Sequence, residues 1–255
     1  MGAGPSGLLL GLRLGRENID VTILDLGLEL DTKPRATHYA SAAVQELNKA
    51  GVLDDIRAMG FTPSGTCWRK LDGTYLAGLK NAVVLDDPNR PVCLPLNKLG
   101  KIIYTHILKY PNIKVLWGHE VTGIGQDDNK AWVTCKTAQG EEKTFEGDYV
   151  CGCDGANSKV RRCLFGEWNF PGKTWEEQIV ATNVGSRFVW TMTDVKVYYP
   201  FERYYDVDSN FIIHPEHWYM AARISNDGMW RVSYGELTGL SFDEVLTSQG
   251  FTNLG

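Results

Sequence analysis

Gly2, Gly4 and Gly7, in Met1-Gly2-Ala3-Gly4-Pro5-Ser6-Gly7, carry the spacing G-x-G-x-x-G. In such a loop one glycine allows a tight turn, one lets a pyrophosphate approach the backbone, and one lets a helix pack closely on a strand. The N–H groups at the helix start then face the phosphate, and the helix dipole favours its charge. Val21-Thr22-Ile23-Leu24-Asp25 follows a leucine-rich stretch. Asp25 stands about 20 residues after the glycines, where an acid bonds ribose hydroxyls. Together these residues point to a bound dinucleotide; the plainer reading is a glycine-rich turn before a core helix. One part of the unit is absent from this sequence. The motif ordinarily follows a buried strand, and only Met1 precedes Gly2.

A second group of polar residues lies far along the chain, in Cys153-Asp154-Gly155-Ala156-Asn157-Ser158-Lys159-Val160-Arg161-Arg162. Asp154-Gly155 ends an apolar run. The glycine permits close approach, and the carboxylate can accept hydrogen bonds from a sugar or ribityl hydroxyl. Taken alone, Asp-Gly is most often only a turn.

The elements that must position these groups follow from the apolar pattern. Residues 5–17 read as a helix and 19–24 as a buried strand. Residues 40–59 read as helical, broken at Gly51 and stopped at Gly60. Asp72-Gly73 marks a hairpin between strands at 67–70 and 74–77. A helix over 97–109 precedes strands at 113–117, 131–136, 143–145 and 149–153, with Gln139-Gly140 in one turn. Residues 168–171 read as a linker. From Glu177 the texture is antiparallel β, with strands at 211–214, 218–224 and 229–234 and a turn at Asn226-Asp227-Gly228. The order of elements predicts a mixed α/β (α+β) fold in two domains. A nucleotide-binding domain (1–66 and 94–172) is interrupted by a β-sheet domain (67–93 and 173–255).

Composition narrows the function classes. The 255 residues are 43% hydrophobic and 22% charged, which suits a globular chain with a sizeable core. A net charge of −5 gives no basic field for nucleic acid. The six cysteines are scattered, and Cys151-x-Cys153 is too close for a usual zinc pair, so no metal site is expected. They read as reduced thiols in a cytoplasmic protein. Leu8-Leu9-Leu10 is too short, and is broken by Gly11, for a secretory leader; no stretch has the length of a membrane span.

G-A-G-P-S-G, Arg35 after the second strand, and C-D-G-A-N-S-K-V-R-R some 150 residues on together resemble the FAD-dependent aromatic hydroxylases. These are the group A flavoprotein monooxygenases of the para-hydroxybenzoate hydroxylase and phenol hydroxylase type. H-P-E-H-W-Y-M-A-A-R-I and W-R-V-S-Y-G-E are similar to fungal members of secondary-metabolite pathways. The resemblance implies a Rossmann-like FAD-binding domain interrupted by an antiparallel β-sheet substrate domain. It also implies hydroxylation of an aromatic or phenolic metabolite with NAD(P)H and O2, by way of a flavin C4a-hydroperoxide.

Carried over by position, the resemblance gives the FAD pyrophosphate to Gly2, Gly4 and Gly7, and the adenosine ribose to Asp25. Arg35 matches the arginine at the ribityl-phosphate region. Asp154 and Gly155 match a motif tied to both FAD and NAD(P)H, and Arg161 matches its closing arginine. Asn97 stands where many members carry Gln or Arg against the flavin. His214, Tyr219, Arg223 and Tyr234 are candidates to orient a phenolate, and strand alternation puts Tyr219 and Arg223 on one face. A homodimer is one assembly the resemblance allows.

Against that family pattern the chain lacks the first strand and the later Gly-Asp motif, so it reads as truncated at both ends. Residues 185–196 read as an inserted segment that forms an irregular loop or an added turn. The alternatives to a monooxygenase are a non-catalytic remnant of one and a flavin dehydrogenase or oxidase on the same scaffold.

Overall fold

A computed structural model describes residues 1–33, 35–81, 85–155, 158–166, 188–196, 207–215 and 217–237; for 188–196 and 234–237 it describes the backbone alone. The chain divides into two compact units. One comprises Met1–Gly60 with Leu94–Pro171, the other Phe61–Cys93 with Gly172–Gly255.

The first unit is built on helix α1 (Pro5–Arg16) and strand β1 (Val21–Leu24). Pro5 begins the helix, where its missing N–H costs nothing. Leu8 and Leu12 are buried on one face, together with Gly7, Gly11 and Gly15, which recur every fourth residue. That glycine stripe sets the packing distance. A methyl group on Gly11 would lie 2.7 Å from Ile23 Cδ1, and one on Gly15 would lie 2.3 Å from Ile113 Cδ1. The helix therefore seats directly on β1 and on β6 (Ile113–Leu116), which run parallel, Val21 opposite Ile113. Helix α4 (Leu96–Ile107) packs against α1 through a face that buries Leu99, Ile102, Ile103 and Ile107.

A two-residue strand β2 (His38–Tyr39) precedes α2 (Ser41–Lys49) and α3 (Leu53–Met59). The break between those helices falls at Gly51, whose φ of +74° suits glycine. After β6 comes an antiparallel meander of β7 (His119–Gln126), β8 (Ala131–Thr137) and β9 (Glu142–Gly147), with Gly140 in the β8–β9 turn. β7 was not expected from the sequence. Two glycines blur its alternation, and a register shift between Val121 and Gly123 leaves Thr122 bulged. Helix α5 (Lys159–Phe165) packs on β7.

One expected strand does not form. Residues 149–153 are extended but join no ladder. What pairs with them is a single residue: the Met1 ammonium donates to Cys151 O at 2.7 Å, and Cys153 N donates to Met1 O at 2.8 Å.

The second unit carries a six-stranded sheet in the order β10-β13-β12-β11-β3-β4. Its strands are β3 (Gly65–Lys70), β4 (Tyr75–Lys80), β10 (Phe188–Lys196), β11 (Ser209–Ile213), β12 (Tyr219–Arg223) and β13 (Met229–Leu237), and a short β5 (Val92–Cys93) lies outside that order. β11 runs parallel to β3, and the other pairings are antiparallel. β10 corrects the reading of 185–196 as an irregular insertion. Residues 188–196 pair with β13 without interruption, from Phe188 opposite Leu237 to Lys196 opposite Met229. The run F-V-W-T-M-T-D-V-K is rich in β-branched and aromatic residues, which favour a pleated sheet. Residues 185–187, and the linker expected at 168–171, lie outside the described residues.

Candidate functional site

The glycine loop is held to the body of the first unit by hydrogen bonds at Met1, Gly2 and Ala3. Gly2 N donates to Leu24 O at 2.8 Å, and Cys153 N holds Met1 O. Ala3 N donates to Asp25 Oδ2 at 2.6 Å, while Asp25 Oδ1 accepts from Gly27 N at 2.7 Å. Asp25, half-buried at the end of β1, thus fixes both the loop before α1 and the turn after β1. Each of its oxygens keeps further acceptor capacity.

The three motif glycines have three different surroundings. Gly2 has φ of +89°, and a Cβ there would lie 2.4 Å from Cys153 O. A Cβ on Gly7 would lie 1.9 Å from Gly2 O, so the helix can start only this close to the loop because residue 7 has no side chain. Gly4 is the opposite case: a Cβ there would meet no atom within 4 Å. Gly4 caps α1 without any side-chain hydrogen bond to the helix, so the first-turn N–H groups are left for a ligand.

These residues open onto a cavity of about 1040 Å³. Its wall takes Met1 to Ser6 from the loop and helix start, and Leu24, Asp25, Leu26 and Gly27 from the end of β1. Trp117, His119, Glu120, Val121 and Thr122 come from the β6–β7 connection and β7, and Cys153, Asp154 and Gly155 from the later motif. Arg35, Lys159 and Arg162 bring positive charge to it, and Asp25, Glu29, Asp31, Glu120 and Asp154 bring negative charge. Two motifs some 150 residues apart in the sequence thus line one cavity.

Asp154 is the N-terminal anchor of α5. Its Oδ1 accepts from Ser158 Oγ at 2.6 Å, and its Oδ2 accepts from Lys159 N at 2.6 Å and Val160 N at 3.2 Å. Partial burial works to raise its pKa. The bonds from the Ser158 hydroxyl and from the Val160 and Lys159 N–H groups outweigh that and hold the carboxyl below its ordinary range. Gly155 follows with φ of +81° and nothing within 4 Å of a would-be Cβ. Burial pushes the neighbouring Cys153 thiol up, so it stays protonated and inert.

Other expected residues fall differently. Arg35, with φ of +33°, lies on the wall, and its Nε pairs with Asp31 Oδ2 at 2.7 Å. Arg161 is not among the wall residues while Arg162 is, because α5 turns by about 100° per residue. Asn97 is likewise not among them: its Nδ2 donates to Thr32 O at 3.0 Å, and its Oδ1 accepts from Lys98 N.

In the second unit, Tyr219 on β12 lies opposite Tyr234 on β13. His214 follows β11, stacks on His217 with ring centroids 5.1 Å apart, and accepts a hydrogen bond from His217 N. Arg223 is bound into its own surroundings. Its guanidinium lies 4.9 Å from the Phe61 ring centroid and 3.7 Å from Asp208 Oδ1, and Nε donates to Ser225 O. Those contacts hold its guanidinium against Phe61, Asp208 and the turn after β12.

A family model for an FAD binding domain matches residues 1–209. The chain belongs to that FAD-binding family. The chain is 32% identical over 248 residues to a para-nitrophenol 4-monooxygenase of Pseudomonas sp. (strain WBC-3), covering 96% of this chain and 57% of that protein. It is 28% identical over 247 residues to a 6-hydroxy-3-succinoylpyridine 3-monooxygenase of Pseudomonas putida, covering 96% of this chain and 59% of that one. The crystal structure of p-nitrophenol 4-monooxygenase from Pseudomonas putida DLL-E4 superposes with a TM-score of 0.82 at 30% identity, covering 96% of this chain and 58% of that chain. The chain therefore spans a little over half the length of these relatives. The residues present fit FAD: the open side of Gly4, the uncapped start of α1 and the cationic wall residues suit a diphosphate, and Asp25 suits a ribose. Among the described residues no helix is long and apolar enough to cross a membrane.

Proposed function

We propose that this chain is the FAD-binding part of a flavin-dependent monooxygenase that hydroxylates a small aromatic or phenolic compound, using NAD(P)H and O2. The observation that carries the reading is the shared cavity, where the glycine loop, Asp25 and Asp154-Gly155 line one wall system. The relatives' monooxygenase names support the activity and the aromatic substrate class.

Each of the chain's residues has a definable task. The uncapped N–H groups of α1 and the bare Gly4 receive the diphosphate, and Arg35, Lys159 and Arg162 offset its charge. Asp25 accepts from ribose hydroxyls with the lone pairs its backbone partners leave. Asp154 stays ionised and fixes α5, so that Gly155 presents a bare backbone to the cofactor. FAD held there would supply the redox chemistry between NAD(P)H and O2. Tyr219 and Tyr234, opposite each other in the β12–β13 register, are the candidates to orient a phenolic substrate. We further propose a cytoplasmic homodimer; the free state of all six cysteines suits a reducing compartment.

The test is direct. The purified chain is loaded with FAD, passed through gel filtration and examined for the yellow flavin absorbance. The full-length protein is then given a phenol, NAD(P)H and isotopically labelled O2. Retained flavin and labelled product are expected. A colourless chain refutes the cofactor site, and a product without label refutes the monooxygenase.

A further inference from the structure

Arg35 lines the cavity from a left-handed backbone, φ of +33°, which few residues other than glycine adopt. The main chain on either side of it is tied to the segment that opens α4. Asn97 Nδ2 donates to Thr32 O at 3.0 Å, Leu96 N to Ala36 O at 3.0 Å, and Leu94 N to Thr37 O at 2.8 Å. Within the loop one carboxylate closes the turn. Asp31 Oδ1 accepts from Lys33 N at 2.9 Å, and its Oδ2 accepts from Arg35 Nε at 2.7 Å.

Asp31 is also a wall residue, so in a cavity that receives a diphosphate its charge and its contacts oppose each other. As a like charge it repels the ligand. As a brace it fixes a long, flexible cation before the ligand arrives. Magnitudes separate the two. The pair is open to solvent, with side-chain exposures of 61% for Arg35 and 46% for Asp31. One like charge several ångströms away through solvent changes an affinity by about twofold, and by less in salt. Immobilising a rotamer-rich side chain on binding costs about two- to tenfold in affinity, a cost avoided where the side chain is already held. Bracing therefore outweighs repulsion. A guanidinium can serve both partners, since its planar fork meets a carboxylate on the Nε edge and a phosphate at its end.

We propose that Asp31 is a positioning residue that holds Arg35 for the diphosphate of the dinucleotide. This rests on the FAD reading of the cavity. The consequence runs against simple electrostatics: removing a negative charge from the wall weakens the binding of a polyanion.

The experiment titrates FAD into the full chain by flavin fluorescence, with thermal unfolding of the same samples. Asp31→Asn keeps the size and removes the charge; it should bind FAD about threefold more weakly. Its Tm should not move, because an exposed ion pair adds little stability and the loop keeps its ties at Thr32, Ala36 and Thr37. Asp31→Glu retains a carboxylate for Arg35 and should recover most of the affinity. In an Arg35→Gln background Asp31→Asn should no longer weaken binding, since only the repulsion is left to remove. An Asp31→Asn chain that binds FAD as tightly as the wild type, or more tightly, overturns the proposal and leaves Asp31 as a like charge alone. A loss that persists undiminished in the Arg35→Gln background overturns it too, as does a loss with a lowered Tm that Asp31→Glu does not rescue, which marks a structural role. A wild type that binds no FAD, or that binds it no better than Gly4→Val, overturns the cavity reading and the proposal together.

Discussion

Gly7→Ala pits helix propensity against local geometry. Gly7 is the third residue of α1, and alanine is favoured over glycine inside a helix by about 1 kcal/mol. Propensity alone therefore calls for stabilisation. The structure calls for the reverse. The new methyl would sit 1.9 Å from Gly2 O, 3.1 Å from Gly2 C and 3.3 Å from Cys153 Cβ. A carbon and a carbonyl oxygen come no closer than about 3.3 Å without strain, so the Gly2 carbonyl must retreat by more than an ångström. No side-chain rotation relieves a contact with backbone. The retreat pulls on the Gly2 N to Leu24 O bond and on the Ala3 N to Asp25 carboxylate bond. The first is worth about 1 kcal/mol and the second, to a charged acceptor, about 2 kcal/mol. Net of the propensity gain, the loss is about 2 kcal/mol, or a fall of about 4–8 °C in Tm for a chain of this size. Thermal unfolding followed by circular dichroism, with FAD titration on the same samples, reads both consequences. A variant that melts at or above the wild-type temperature and binds FAD normally would show that the loop does not hold the helix as described.

Gly4→Val should leave Tm nearly unchanged, because a Cβ there meets nothing within 4 Å, yet reduce FAD retention after gel filtration at least a hundredfold. Asp154→Asn puts an amide donor against the Ser158, Lys159 and Val160 donors and should cost about 1 kcal/mol in urea unfolding at neutral pH. The Asp154 pKa is lowered in the fold, so its contribution is fully present above the ordinary value of 3.8 and fades as pH falls below it; the gap between wild type and variant should close in acid. Deleting 188–196 strips the sheet edge from β13 along nine paired residues, and light scattering should detect aggregation through the exposed strand; a monodisperse product of unchanged Tm would count against β10.

The sequence made the binding loop legible because its constraints are local. Three glycines, a helix and an acid at fixed spacing leave little choice of geometry, and the cavity holds Gly2, Gly4, Asp25, Asp154 and Gly155 together. What it concealed depends on partners distant in the chain. Residues 149–153 have strand composition yet join no ladder among the described residues. Residues 188–196 read as surplus until β13 supplies a full register. His119 had no motif to place it on the cavity wall; its ring is set by a carbonyl two residues back and an aromatic ring on β9. Arg161 and Arg162 are adjacent in sequence, and only the phase of α5 tells which reaches the wall.

Asp25 holds Ala3 with one oxygen and Gly27 with the other, and this makes the site's energetics non-additive. An acid that bonded only a ribose would show a fixed loss on removal, whatever was done to the glycine loop. Here its removal also releases the glycine loop, so under the proposed binding mode the two ligand halves are thermodynamically linked through one carboxylate. A double-mutant cycle between Asp25→Asn and Gly4→Ala should therefore give a coupling energy of about 1 kcal/mol although the two residues recognise different parts of the cofactor. Even the conservative exchange Asp25→Glu inherits that linkage, since the longer stem cannot reach both N–H groups from the same Cα without displacing one end of the cofactor to accommodate the other.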